Sequence, residues 1–200
     1  MYNRWKPCSD ELYHYGVIGM KWGVRKAQKY NHRMMLTDER QYNISKKSPQ
    51  GVNDPRIAEL NAKRKEDAAK RDTAATEVVA RSKEHLKRLE AKYQEKQAKA
   101  DKAYEKAERK ANSIFATKRS ADRAFRKAAK VQFKANRAAY EGKKFYRAMM
   151  NEMGLNLNRP KYNRRSVFYP YVDRETRRLG EEFVKRVEQG SKAMYANSYK

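Results

Sequence analysis

Between Arg56 and Glu141 the chain runs 86 residues without a glycine or a proline. Those two residues are the strongest local breakers of regular structure. The interval is instead rich in Ala, Lys, Glu and Arg, all good helix formers. As one helix it is roughly 130 Å long at about 1.5 Å per residue, beyond any usual globular helix. The expectation is therefore a long rod, a coiled coil, or a hairpin whose turn lacks the usual breakers. Asp54 can cap the orphan amides at its start, Pro55 suits the first helical position, and Gly142 offers a stop.

The apolar pattern within the run carries a heptad-like seam. Leu86, Leu89, Tyr93, Ala100, Ala103, Ala107, Ile114, Ala121, Phe125, Ala128, Ala135 and Ala139 follow spacings of three and four, with Lys96 and Lys118 as interruptions. Alanine in a seam permits close helix approach but drives it weakly, because each methyl removes little area from water. Acid-first pairs four apart, such as Glu95–Lys99 and Glu105–Arg109, add about 0.2–0.5 kcal/mol each. Residues 56–112 thus read as a helix able to stand in water. The fold class that follows is all-α: a long helix or helical hairpin, with an irregular N-terminal segment and a small C-terminal helical region.

Composition limits what surrounds this helix. Charged residues make up 36% of the 200 positions and mean hydropathy is −1.18, so a large compact core is not expected. The formal charge is +25, with a pI near 10.1. Such an excess repels itself unless a polyanion or an acidic partner neutralises it. Nucleic acid is the first candidate and an anionic membrane surface the second. No run of about 18 apolar residues is present, so no segment is expected to span a bilayer, and MYNRWKPCSDELYHYG lacks a signal-peptide core. The lone Cys8 excludes an intrachain disulfide framework. His14, His32 and His85 share no ligand spacing, so neither a metal nor a cofactor is expected. A reduced intracellular or virion-interior setting fits these features.

Three segments follow along the chain. Residues 1–50 are aromatic and glycine-containing, with LTDERQYNI as a short helix capped by Thr37 or Asp38, and SKKSPQGVNDP reads as a linker. Residues 51–147 form the long helical region. Within it, 56–112 carries seventeen basic and eleven acidic residues, whereas 113–147 carries eleven basic residues against only Asp122 and Glu141. Phe115, Phe125, Phe133, Phe145 and Tyr146 accompany that charge, so the stretch has apolar groups to bury as well as charge to neutralise. Arg119, Arg123, Arg126, Lys127, Lys130, Lys134 and Arg137 recur at helical spacings there. They are the candidate phosphate contacts, suited to tracking a backbone without reading base edges. Residues 148–200 are mixed, ending in a helix over DRETRRLGEEFVKRVEQG that Asp173 caps and Gly190 stops, with Leu179, Phe183 and Val187 on one face.

The densest stretch is YHYGVIGMKWGVRK, residues 13–26. Gly16, Gly19 and Gly23 do not make a Walker loop, which needs Gly-Lys-Ser/Thr before a helix, and no strand precedes them as a dinucleotide fingerprint requires. His14 has no placed partner for nucleophilic chemistry and reads as a surface or docking residue. No catalytic constellation emerges anywhere, so an enzyme is not expected. Glycines allow turns and close approach, Met20 and Trp22 offer apolar anchors, and Lys21 and Arg25 offer charge-assisted contacts. Trp and Arg are enriched at interface hot spots. His14, Gly16, Gly19, Met20, Lys21, Trp22, Gly23 and Arg25 are thus candidate docking residues; packing of Trp22 on the chain's own helices is the alternative.

HYGVIGMKWGVRK resembles a short motif, His-x-Gly-Ile/Val-x-Gly-Met/Gln-Lys-Trp-Gly-Val/Ile-Arg, that recurs in tailed-bacteriophage structural and head-morphogenesis proteins. The departure is Ile18, where many carriers have a polar or basic residue. The resemblance covers residues 14–26 only. It implies a virion component in or next to the head, packaged inside it or placed in a portal-proximal ring or collar. The partners it implies are other phage head, portal or ring proteins, with assembly in the bacterial host cytoplasm. Copies of a ring subunit would make a homo-oligomer, and the positive charge would face nucleic acid through its phosphates. A soluble, sequence-independent nucleic-acid-binding protein is the competing expectation.

Overall fold

The computed structural model describes residues 20–113, 117–155 and 166–198. Among them are four α-helices and one short 3-10 turn, with no strand: α1 Met20–Lys47, α2 Pro55–Ala111, α3 Lys118–Glu152 and α4 Arg174–Ser198. The fold is all-α, and no described helix is long and apolar enough to cross a membrane.

The Gly- and Pro-free run is a hairpin, broken between Ala111 and Lys118. Polar caps replace the usual breakers. Arg109 and Lys110 fill the last turn of α2, where cations complement the helix dipole. Thr117 then caps α3, its Oγ1 accepting from the Ser120 amide at 3.3 Å. At the other end of α2, Asp54 Oδ1 accepts from the Arg56 amide at 3.0 Å, as the Asp-Pro start predicts. Hydrogen bonds from the Arg56 side chain hold the Asp54 carboxyl well below the usual carboxylate range.

The described residues group into two compact units. In the first, residues up to Ser82 join Ala148–Val172. Here α1 lies antiparallel to the opening half of α2. Asp38 pairs with Arg64 at 2.5 Å, and Gln41 donates to Asn61 at 2.9 Å. A Cβ added at Gly23 would come within 2.0 Å of Val78. The expected irregular start, with a short helix over LTDERQYNI, is from Met20 onward a 28-residue helix. Thr37 caps nothing; its hydroxyl donates to the Arg33 carbonyl at 3.0 Å inside the helix. The reason is tertiary: Val24, Ala27, Met34 and Thr37 bury one continuous face, which propagates the helix past its local cap signal. Met149, Met150, Met153, Leu155, Phe168 and Val172 supply this unit's bulkier buried groups.

The second unit comprises Lys83–Arg147 and the described residues from Asp173 onward. Its α2 and α3 segments run antiparallel, registered by the mutual Gln97–Gln132 amide pair at 3.0 and 3.3 Å and by Lys92–Glu141 at 3.2 Å. Ala100, Ala107, Ala128 and Ala135 of the seam are no more than 1% exposed. Larger groups drive the packing, at about 1.5–3 kcal/mol per fully buried side chain: Leu86, Phe145, Tyr146 and Phe183. Burial pushes the Tyr146 phenol up to about 12.

Gly142 does not stop α3, which continues to Glu152. It is a socket instead: a Cβ there would lie 2.4 Å from the Phe183 ring of α4. Gly180 of α4 is the reciprocal socket, 2.1 Å from the Tyr146 ring. The stop is Gly154, at φ +66°. Its amide donates to Asn151 O at 3.0 Å and that of Leu155 to Met150 O at 2.7 Å, the paired bonds of a Schellman cap. Asp173 caps α4 as expected, accepting from the Thr176 amide at 2.7 Å. With Lys83 also donating to it, the Asp173 carboxyl falls to about 2. Leu179 and Phe183 are buried and Val187 half-buried, but the helix passes through Gly190 to Ser198.

Candidate nucleic-acid interface

The face of α3 turned away from the alanine seam carries the expected cations. Arg119, Arg123, Arg126, Lys127, Lys130, Lys134 and Arg137 are all exposed. At 3.6 residues per turn they fall within roughly 100° of the helix circumference. The seam alanines force this arrangement, because Ala128, Ala135 and Ala139 bury the other side.

What distinguishes this face from α2 is how little of its charge is paired with acid. Along α2, Glu66–Lys70, Glu77–Arg81, Glu84–Arg88, Glu95–Lys99 and Glu105–Arg109 are ion pairs four residues apart. On α3, the first six cations of the face have no carboxylate partner among the described residues. Only Arg137 has one, Glu141 at 3.7 Å, a carboxylate shared with Lys92. Unpaired cations on one face raise the local positive potential and attract polyanions. Salt bridging to the protein itself would have cancelled it.

The aromatic residues of the segment divide. Phe145 and Tyr146 are buried, as expected. Phe133 and Tyr140 are not: they are 65% and 54% exposed, and Phe125 is 37% exposed. Phe115 lies outside the described residues. Phe133 sits three residues after Lys130 and four before Arg137, so it shares their side of the helix. The expectation of apolar groups to bury covers Phe125 and Phe133 as well as Phe145 and Tyr146, and the first two depart from it. Phase against Ala128 and Ala135 puts Phe133 off the seven-residue seam, whereas Phe125, expected on the seam, is partly exposed.

The described residues include only some of the candidate docking residues. His14, Gly16 and Gly19 lie outside the described residues. Met20, Lys21 and Trp22 open α1, followed by Gly23 and Arg25, so the second half of the motif is helical backbone. Gly23 serves close approach to Val78 within the same unit, Val24 is buried and Arg25 is exposed. Among the described residues, no group of three or more His, Cys, Asp or Glu is placed to hold a metal ion.

A family of unknown function (DUF7211) has a model that matches residues 6–29, which contain the whole motif. No curated protein and no solved structure matches the chain.

Proposed function

We propose that this chain is a structural virion protein of a tailed bacteriophage, in or beside the head, that holds nucleic acid through the phosphate-facing side of α3. The observation that carries the binding part is the row of six exposed cations without a carboxylate partner among the described residues. The virion part rests on the resemblance of residues 14–26. In this reading those residues dock on another head, portal or ring protein, or on a neighbouring copy, and the chain binds rather than catalyses. Each neutralised phosphate releases counterions, so affinity is salt-dependent and sequence-independent. A soluble nucleic-acid-binding protein of the infected cell would use the same face.

Two experiments test it. If roughly six phosphates are neutralised, log affinity should fall with log salt at a slope near −5. Changing Arg123, Arg126, Lys130 and Lys134 to Gln should flatten that slope and weaken all sequences alike. A near-zero slope in the unaltered chain, or tight binding to one sequence alone, removes phosphate tracking and leaves an acidic protein as the partner. Purified virions, assayed for this protein before and after DNA ejection, separate the virion role from the cellular one. Trp22→Ala should lower its copy number there with helix content unchanged; normal incorporation would remove the docking role.

A further inference from the structure

We infer that the ridge of α3 on which Phe133 and Tyr140 stand among exposed cations binds single-stranded nucleic acid, its phosphates on the cations and its bases stacked on the two rings. This rests on the phosphate reading above and narrows it to one kind of strand.

A phenylalanine ring 65% exposed, on a helix that buries its alanines, is the inverse of ordinary packing. Tyr140, seven residues on, shares its side of the helix, roughly 10 Å further along the axis. Lys130, Lys134 and Arg137 are interleaved with these rings. Cations tracking a backbone beside exposed rings form the arrangement that single strands require, since every base has a π-face and stacking tolerates any sequence. A duplex would use the cations but not the rings, because its bases are already stacked inside. A second copy of this chain is disfavoured as occupant, for it would bring the same segment, eleven basic residues against two acidic, to the contact.

Binding of the full-length chain to an oligothymidylate and to a duplex of equal phosphate number, by fluorescence anisotropy at one salt concentration, tests this. Phe133→Ser with Tyr140→Ser should weaken the single strand about tenfold or more and leave the duplex nearly unchanged. Phe133→Tyr should keep the affinity, and an abasic strand should bind the unaltered chain as weakly as the oligothymidylate binds the double variant. Both rings are exposed, and unchanged circular dichroism verifies that the variants fold. Equal losses on both strands, or none on the single strand, overturn the inference. If duplex binding then keeps its salt slope, the phosphate reading survives; if neither strand binds, both fail. A dimer that the double variant dissociates, without change in oligothymidylate affinity, would give the ridge to a second copy and overturn it as well.

Discussion

At Gly142 and Gly180 an added Cβ would lie 2.4 and 2.1 Å from the rings of Phe183 and Tyr146. In an open helix, alanine for glycine gains about 0.5–1 kcal/mol, whereas overpacking a closed site costs about 1–3 kcal/mol. The second effect is larger here, because the intruding atoms belong to ring carbons of buried side chains rather than to flexible ends. Gly142→Ala and Gly180→Ala should each lower stability in urea denaturation, and Phe183→Leu should recover part of the loss in the first. His85 gives a pH signature. It lies 4.5 Å from the Phe145 ring, and burial, with Arg88 and Lys92 nearby, lowers its pKa from 6.5. The unfolded chain therefore binds the proton more readily than the folded one, so this contribution is present above pH 6.5 and is lost as pH falls below it. Thermal melts of the unaltered chain should drop over that interval, and His85→Gln should flatten the drop.

The helical elements repeat this contrast between local and distant causes. Asp54-Pro55 and Asp173 act on amides two or three residues away, so both helix starts were legible in the sequence. The alanine seam was legible too, because heptad spacing is a property of the chain itself. The break between Ala111 and Lys118 was not, since Asn112, Ser113 and Thr117 punctuate a helix more weakly than Gly or Pro. Thr117→Ala should cost about 1 kcal/mol, read as a lower urea midpoint with unchanged slope. Ala128→Leu or Ala135→Leu, each at a position 0% exposed, should cost about 1–3 kcal/mol by forcing α2 and α3 apart. A seam tolerant of leucine would mean that the close approach has no energetic consequence.

For the molecule as a whole, the decisive quantity is +25. Exposed ion pairs contribute about 0–1 kcal/mol each and are screened by salt, but so is the repulsion of the excess positive charge. With so large an imbalance the repulsion dominates. Thermal midpoints should therefore rise between about 0.01 and 0.2 M salt, as the Debye length shrinks from about 30 to below 10 Å. The quadruple Gln variant on α3 should raise the low-salt midpoint. A midpoint that falls with salt would show that the ion pairs outweigh the repulsion.

The chain's own order of residues was enough for the helical class, for the starts at Asp54 and Asp173, for the seam and for the cation row on α3. These depend on backbone propensity, near-neighbour capping and helical phase, all carried by residues a few positions apart. Tertiary contact alone decided that residues 20–47 are one helix and that Gly142 is a socket for Phe183 and not a stop. A glycine in a helical sequence has the same local signature whether it ends a helix or admits a ring. Only the element packed against it, thirty or more residues away, distinguishes the two.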